Sequence, residues 1–257
     1  MRPNRVRQAL AEGRVPLGHM IWEFSTRGIA KICEAAGLDF VFIDMEHSGF
    51  SLGQVTDLLA WFKATPVTPI VRVPASEYHF VARVMDAGAQ GVMAPSVGSV
   101  EQARAVINAM RYVPEGGRGL GLGGSLNDFV PPDPVAYMKE ANRDNICVCQ
   151  IESRPGLENL EAIAATPGVD VLWVGHFDLS NALGIVGQFE HPEFIAAIKR
   201  VADACHKHGK LAGVQPGDLK QARRWMDFGY NMISLGADSV FYRSALKANI
   251  DELRVGL

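Results

Sequence analysis

Charged and polar side chains gather where several apolar runs of this sequence end. Carboxylates, imidazoles and guanidinium groups carry much of the acid–base chemistry, metal binding and carboxylate recognition of enzymes. Four of the runs read DFVFIDMEHSGF, TPIVRVP, ICVCQIESRPG and VDVLWVGHFDLS. The polar residues that they deliver are Asp44, Glu46, His47, Arg72, Gln150, Glu152, His176 and Asp178. If the fold brings these run ends together, they could form one reactive site.

Glu152 and Asp178 are candidate ligands for a divalent cation. They end consecutive apolar runs, which would lie side by side in a parallel sheet. Two carboxylates that leave other positions open suit Mg²⁺ or Mn²⁺, which keep water molecules and accept substrate oxygens. Zinc fits less well because no cluster of Cys and His offers three or four ligands. The structural alternative for Asp178 is a helix N-cap, whereas Gln150 shares a strand face with Glu152.

Arg72 and His47 each have a functional and a structural interpretation. An arginine within an apolar run is rarely without a charge partner, so Arg72 either clamps a substrate carboxylate or forms an ion pair with Asp44 or Glu46. His47 is either a base, with Asp44 orienting its ring, or a satisfied histidine at the start of a loop. These residues alone do not choose between the two interpretations.

Eight short, β-branched apolar runs alternate with longer amphipathic stretches. Ala103, Val106, Ile107 and Met110, for example, share one face at the helical period. Strands that alternate with helices imply parallel pairing, and eight such units predict a single (β/α)₈ TIM barrel over residues 1–257, with a doubly wound sheet as the alternative. The predicted strands are 17–23, 39–46, 68–74, 91–97, 146–152, 169–175, 210–215 and 231–235. In such a barrel the chemistry lies at the C-terminal ends of the strands, where the polar residues occur.

Composition excludes several classes of function. Hydrophobic residues make up 48% and charged residues 21%, which is typical of a globular protein. The net charge of −3 provides no basic field for nucleic acid, and no apolar run approaches the ~20 residues that span a bilayer. The N-terminus lacks the apolar core of a signal peptide. The four cysteines show no CxxC spacing, so we expect reduced thiols in a cytoplasmic protein.

The lysines argue against imine chemistry. A Schiff-base aldolase needs a lysine at the C-terminal end of a strand. None of the eight predicted strands ends in one, and Lys210 opens a strand at the opposite end. This pattern favours a metal ion as the electron sink.

The motifs together resemble one enzyme family. DFVFIDMEHSGFS, PIVRVP, MDAGAQGVMAPSV, RYVPEGGRGLG, CQIES and VDVLWVGHFDLSNALG occur in the order seen in the HpcH/HpaI aldolase family. Its members are metal-dependent class II pyruvate aldolases of the phosphoenolpyruvate/pyruvate barrel superfamily. The resemblance extends over about residues 17–238, and its motifs are specific only in combination.

The resemblance implies roles for individual residues. Glu152 and Asp178 match the two metal-binding carboxylates, for Mg²⁺, Mn²⁺ or Co²⁺. Arg72 matches the arginine that contacts pyruvate and steadies its enolate, and His47 matches the catalytic histidine, with Asp44 as its partner in a dyad.

Further matches concern the substrate and the neighbouring subunit. Gln150 matches a glutamine on the substrate side, and the backbone around Phe177 and Asp178 matches a site for the pyruvate carboxylate. Asp86 matches an acidic residue that reaches a neighbouring subunit's site. Family members are trimer-based hexamers in which the final helix packs on a neighbour.

The implied reaction is the reversible aldol cleavage of a 4-hydroxy-2-oxo acid to pyruvate and an aldehyde through a metal-stabilised enolate. One departure bears on the nucleophile. Gly175-His176-Phe177 stands where the family usually has Gly-Pro-Ala, and the added bulk makes hydroxypyruvate an alternative to pyruvate. The same residues are also compatible with a malyl- or citramalyl-CoA-type lyase, or with a non-catalytic barrel that binds 2-oxo acids.

Overall fold

In the computed structural model, which describes residues 2–255, eight parallel strands form a closed barrel. Each strand pairs with the next, and β8 pairs with β1 to close the ring. The strands are β1 (Leu17–Ile21), β2 (Phe40–Asp44), β3 (Thr68–Arg72), β4 (Gly91–Ala94), β5 (Ile146–Ile151), β6 (Val171–Val174), β7 (Leu211–Val214) and β8 (Met232–Ala237). The predicted (β/α)₈ barrel is confirmed, and every strand begins within two residues of its predicted start.

Helices connect the strands and surround the barrel. They are α1 (Arg5–Ala11), α2 (Ile29–Ala35), α3 (Leu52–Phe62), α4 (Tyr78–Asp86), α5 (Val100–Met110), α6 (Pro134–Asp144), α7 (Arg154–Glu158), α8 (Leu160–Ala165), α9 (His176–Ala182), α10 (Pro192–Lys207), α11 (Leu219–Asp227) and α12 (Asp238–Arg254). Polar caps set several starts: the Ser51 side chain accepts a hydrogen bond from Gln54 N ahead of α3, and Ser99 accepts one from Gln102 N ahead of α5.

Alternate residues of the strands divide the core into two layers. Phe40 and Phe42 of β2 lie inside the barrel, whereas Val41 and Ile43 pack outward against the helices. The interior of the barrel is apolar along most of its length, and charged side chains enter it at the C-terminal ends of the strands. The residues that continue the inward-facing series there are Asp44, Arg72, Gln150 and Glu152.

The N-terminal segment closes the opposite end of the barrel. Val6 of α1 belongs to the interior apolar cluster, and Asn4 both caps α1 and donates hydrogen bonds to the carbonyls of Gln90 and Asp144. Because this end is closed by packed side chains, the chemistry is confined to the other mouth.

The last helix, α12, projects from the barrel. Asp238 is its one buried residue, and residues 240–255 are all exposed. Its first turns attach to the end of β1, where Trp22 Nε1 donates to Ser239 Oγ at 2.7 Å and Asp238 accepts from two backbone N–H groups. In the part of the chain from Arg2 to Val255, no helix is both long and apolar enough to cross a membrane.

Candidate active site

The predicted site residues other than Asp86 lie at the C-terminal mouth of the barrel. A cavity of about 150 Å³ opens there between the ends of β1, β3, β5, β6 and β7. The predicted residues that line it are His47, Arg72, Gln150, His176, Phe177 and Asp178. The fold therefore brings together side chains that are more than 130 residues apart in the sequence.

Arg72 lies between two carboxylates. It is opposite Asp44 in the register of β2 and β3, so its Nε and Nη2 donate to the two Asp44 oxygens at 2.8 and 2.7 Å. Its Nη1 also lies 3.1 Å from Glu46 Oε2. The structural alternative raised by the sequence, an ion pair with Asp44 or Glu46, is thus formed with both residues. The bidentate pair fixes the plane of the guanidinium at the floor of the cavity.

Asp44 does not orient the ring of His47. In residues 2–255 no hydrogen bond joins these two side chains, because both Asp44 oxygens accept from Arg72 and Oδ1 also accepts from Glu46 N. The half-exposed ring of His47 instead lies near Glu46, with Nε2 at 3.8 Å from Oε2. The predicted dyad is therefore not formed in this structure, and Glu46 is the carboxylate beside the histidine.

Glu152 is held in one orientation. Its Oε1 accepts from Ser96 N at 2.8 Å and from Ser96 Oγ at 2.9 Å, and its Oε2 accepts from Gln150 Nε2. Glu152 and Gln150 are both buried, and their contact confirms that they share one strand face. A Cβ at Gly175 would overlap Glu152 Oε2, so only glycine fits at that point of the β6–α9 turn.

The site carries more negative charge than its one arginine can neutralise. Asp44, Glu46 and Glu152 all interact electrostatically with Arg72. Burial raises the pKa of Glu46, and the neighbouring Glu152 and Asp44 raise it further against the opposing pull of Arg72. Within the described chain, buried Gln150 Oε1 accepts no hydrogen bond, and buried Glu46 Oε2 meets Arg72 only as an ion pair. Excess carboxylate charge with unsatisfied oxygens is the donor set that a hard divalent cation requires.

Asp178 is in the first turn of α9 and is exposed at the cavity wall. The N-cap of α9 is Gly175, so the N-cap interpretation of Asp178 is wrong; the helix starts earlier than that interpretation requires. Within the described residues no three His, Cys, Asp or Glu side chains already converge as a complete ligand set. A cation here would thus draw on Glu152, Asp178 and oxygens from water or substrate, as expected for Mg²⁺ or Mn²⁺.

His176 is enclosed by aromatic rings. Its ring centroid lies 4.8 Å from that of Phe177, 5.1 Å from Phe189 and 6.0 Å from Trp225. Burial lowers the pKa of His176 to about 4, only partly opposed by Asp178. The imidazole is therefore neutral near pH 7 and bounds the cavity as an uncharged polar surface.

This low pKa predicts a pH-dependent stability. Between about pH 6.5 and about pH 4 the unfolded chain protonates His176 and the folded chain does not, so acidification destabilises the folded state by at most about 3 kcal/mol through this residue. Chemical denaturation of metal-free protein across this range should show a smaller loss of stability for His176→Phe than for the wild type. His79→Phe, at an exposed position, is the control. Equal pH slopes for His176→Phe and the wild type would contradict the assignment.

Asp86 lies away from the cavity, at the C-terminal end of α4. Its Oδ1 accepts from Nε and Nη2 of the buried Arg118 at 3.1 and 2.6 Å. Its side chain is 47% exposed. Within one chain, then, Asp86 takes no part in the site, and a role in a neighbouring site stays a prediction.

Ser96 is a residue of the site that the sequence did not single out. It follows β4 at the same mouth of the barrel, and it holds Glu152 through two hydrogen bonds. The predicted strand 91–97 includes Ser96 near its end, whereas the observed strand stops at Ala94, and a serine after a proline is not distinctive. Trp22 and Gln215, which also line the cavity, were likewise not singled out.

Comparison with known proteins agrees with this geometry. The sequence model of the family described as HpcH/HpaI aldolase/citrate lyase matches residues 20–245. The chain is 35% identical to the hydroxypyruvate/pyruvate aldolase of Chromohalobacter salexigens, over 90% of this chain and 91% of that protein. It is 34% identical to the 5-keto-4-deoxy-D-glucarate aldolase of Klebsiella pneumoniae, over 98% of this chain and 97% of that protein.

Solved structures give the same result. The HpcH/HpaI aldolase from Desulfitobacterium hafniense superposes with a TM-score of 0.92 at 29% identity, covering 97% of this chain and 96% of that one. A HpcH/HpaI aldolase/citrate lyase family protein from Burkholderia cenocepacia superposes with a TM-score of 0.89 at 32% identity, covering 98% and 99%. The motifs, the barrel and these likenesses agree, and the chain belongs to the HpcH/HpaI aldolase/citrate lyase family of carbon–carbon lyases.

Proposed function

We propose that the protein is a divalent-metal-dependent class II aldolase. It cleaves a 4-hydroxy-2-oxo acid reversibly to pyruvate or hydroxypyruvate and an aldehyde. The observation that carries the proposal is the surplus of carboxylates, from Asp44, Glu46 and Glu152, around the arginine that lines a small cavity at the barrel mouth. A volume of about 150 Å³ suits a short 2-oxo acid rather than the bulk of an acyl-CoA. The names of the two aldolase relatives from Chromohalobacter and Klebsiella are consistent with it.

Glu152 and Asp178 are the proposed ligands of the metal ion, with Mg²⁺, Mn²⁺ or Co²⁺ as candidates. The unsatisfied oxygens of Gln150 and Glu46 support the fit, because they leave the site short of positive charge. When bound, the cation supplies a Lewis acid beside the 2-oxo group of the substrate.

The chain's own residues account for the movement of protons and charge. His47 accepts the proton of the 4-hydroxyl group, the bond between C3 and C4 breaks, and its electron pair passes to C3 to form the enolate as the aldehyde leaves. Arg72, fixed by Asp44, faces the developing enolate oxygen with positive charge in a largely buried position. Return of a proton to C3 gives the 2-oxo acid product. Glu46, beside His47, would stabilise the charged imidazole.

Three further residues form the proposed substrate-binding surface. Gln150 offers a polar surface next to Glu152, and His176 with Phe177 lines the cavity at the start of α9. The neutral imidazole of His176 has no hydrogen-bond partner within residues 2–255, so it is free to meet a hydroxyl group of the substrate. This arrangement supports hydroxypyruvate as an alternative nucleophile to pyruvate.

A synthesis assay tests the function. Purified protein is incubated with pyruvate or hydroxypyruvate and a panel of aldehydes, separately with Mg²⁺, Mn²⁺ and Co²⁺, and 4-hydroxy-2-oxo acids are measured by chromatography. We expect product from at least one pair in the presence of metal. Cleavage of malyl- or citramalyl-CoA with no aldol product would favour the CoA lyase instead. Binding of metal and 2-oxo acid without turnover of any substrate would identify a non-catalytic barrel.

We also propose that the chain forms one barrel domain and assembles into a trimer-based hexamer. In this assembly α12 packs on a second copy of the chain. Tyr242, Leu246, Ile250 and Leu253 lie on one face of α12 at helical spacing, and all are exposed. Tyr242 meets Phe24 edge-on, with ring centroids 5.7 Å apart, and the exposed stripe continues from there along the helix. An exposed apolar stripe of this kind is typical of a subunit interface. Asp86 is proposed to face a neighbouring site in the same assembly.

Charges placed on this stripe should break the assembly. We expect Leu246→Glu combined with Ile250→Glu to reduce the mass measured by light scattering from that of six chains to that of a smaller species, because two buried apolar contacts would become buried charges. Ser244→Glu, on the opposite face of α12, adds charge without touching the stripe and should leave the mass unchanged. A wild-type protein that is already a single chain would contradict the proposal.

A cytoplasmic location is proposed from the cysteines. Cys33, Cys147, Cys149 and Cys205 are all buried and unpaired, as in proteins of reducing compartments.

A further inference from the structure

Ser96 has an unusual backbone conformation. It follows β4 by two residues, and its φ angle is +49°, in the left-handed region that residues other than glycine rarely adopt. The segment 95–98 connects β4 to the start of α5. It contains a glycine, Gly98, but the positive φ angle falls on Ser96. A serine at this angle is retained against a conformational cost, and such residues tend to cluster at functional sites.

The conformation turns two donors toward one oxygen atom. Ser96 N lies 2.8 Å and Ser96 Oγ 2.9 Å from Glu152 Oε1. An ionised carboxylate has about four lone-pair sites, two on each oxygen. Both sites of Oε1 are therefore occupied by Ser96. Within the described chain, Oε2 accepts from Gln150 Nε2 alone and keeps one site free.

The free site belongs to the oxygen that lies beside the start of α9. Oε2 lies against Gly175, where any Cβ would overlap it, and Gly175 is the N-cap of the helix that carries Asp178. Oε1 is turned the other way, toward the end of β4. The two hydrogen bonds from Ser96 thus decide which oxygen of Glu152 is available and in which direction it points.

We propose that Ser96 is a positioning residue that makes Glu152 a one-oxygen ligand: by saturating Oε1 it presents Oε2 alone to a divalent cation shared with Asp178. This inference rests on the proposed role of Glu152 as a metal ligand. Without the hydroxyl donor, Oε1 regains a lone pair and the carboxylate regains rotational freedom. Metal binding must then order the carboxylate, and the lost side-chain entropy makes the free energy of binding less favourable.

The test measures metal affinity in the metal-free protein by calorimetric titration with Mn²⁺. We expect Ser96→Ala to bind Mn²⁺ about 10- to 100-fold more weakly than the wild type, the range typical of lost partners to a ligand. Ser96→Gly should lose the same affinity, because it also lacks the hydroxyl. It should nevertheless unfold at a higher temperature than Ser96→Ala without metal, because both variants lack the hydroxyl and only glycine tolerates the φ angle of +49°.

Equal losses of affinity in Ser96→Ala and Ser96→Gly, despite their different stabilities, indicate positioning by the hydroxyl. In a purely structural role the loss of affinity would follow the loss of stability. Ser99→Ala is the matched control: it removes a nearby hydroxyl that caps α5 and does not touch Glu152, so stability should fall and affinity should not. Equal Mn²⁺ affinities in Ser96→Ala and the wild type would overturn this inference alone. No Mn²⁺ binding by the wild type would overturn the metal site and this inference with it.

Discussion

Replacing Arg72 with alanine should nearly abolish enolate formation. In the proposed reaction the guanidinium is the only positive side chain of the described cavity that faces the developing oxyanion. The loss of one such donor typically slows catalysis by about 10²–10³-fold. Exchange of the pyruvate methyl protons with deuterated solvent, followed by NMR, measures enolate formation without an aldehyde. We expect the exchange rate to fall by that factor in Arg72→Ala.

The same substitution leaves Asp44 buried without its partner. Breaking a buried ion pair in this way costs about 3–5 kcal/mol, so Arg72→Ala alone could fail through unfolding. The double variant Arg72→Ala with Asp44→Asn removes the unpaired charge and should restore stability but not proton exchange. Arg72→Lys keeps the charge and loses the two-pronged contact, and it should fall between wild type and alanine. Normal exchange in a folded Arg72→Ala protein would remove the arginine from the mechanism.

The site could be located from the sequence because the period of a strand is two. Phe40 and Phe42 face the barrel interior, so the next residue of that series, Asp44, must face the same way at the mouth. The same period of two places Val148, Gln150 and Glu152 on one inward-facing series. When a polar residue follows an apolar inward-facing series, the sequence alone therefore predicts that it lies at the barrel mouth.

The partner of each polar residue was not readable in the same way. Asp44 binds Arg72 because the register of β2 and β3 places them opposite each other, and register depends on closure of the whole barrel. His47 is close to Asp44 in sequence, which favoured the dyad. Closeness in sequence does not determine the direction in which a side chain points. In the structure both Asp44 oxygens accept hydrogen bonds from Arg72 instead.

Two other features were beyond sequence reasoning for a different physical reason. The neutral state of His176 follows from burial by Phe189 and Trp225, which arrive from separate segments of the chain. The left-handed Ser96 arises where the loop must satisfy Glu152, since nothing in Pro95-Ser96 itself requires a positive φ angle. Long-range contacts outweigh local preference in both cases, and both features lie at the candidate active site, where such conflicts are expected.

Loss of the metal should be the other large effect. We expect EDTA to abolish aldol cleavage and added Mg²⁺, Mn²⁺ or Co²⁺ to restore it, because a Lewis acid contributes several kcal/mol, on the order of 10³-fold or more in rate. We expect Glu152→Gln to lose the same activity and not to regain it when metal is added. It should not destabilise the metal-free protein. It removes a charge that repels Glu46 and keeps an oxygen to accept from Ser96, and its new N–H can donate to Gln150 Oε1 once the Gln150 amide turns over.

Thermal unfolding separates this prediction from simple misfolding. A ligand that binds only the folded state raises its stability by RT ln(1 + [L]/Kd), so Mn²⁺ should raise the unfolding midpoint of the wild type and leave that of Glu152→Gln unchanged. Glu158→Gln, an exposed carboxylate on α7, is the matched control and should respond to Mn²⁺ as the wild type does. Full activity in excess chelator, or a Mn²⁺ shift that survives in Glu152→Gln, would show that the surplus carboxylates of the barrel mouth serve something other than a cation.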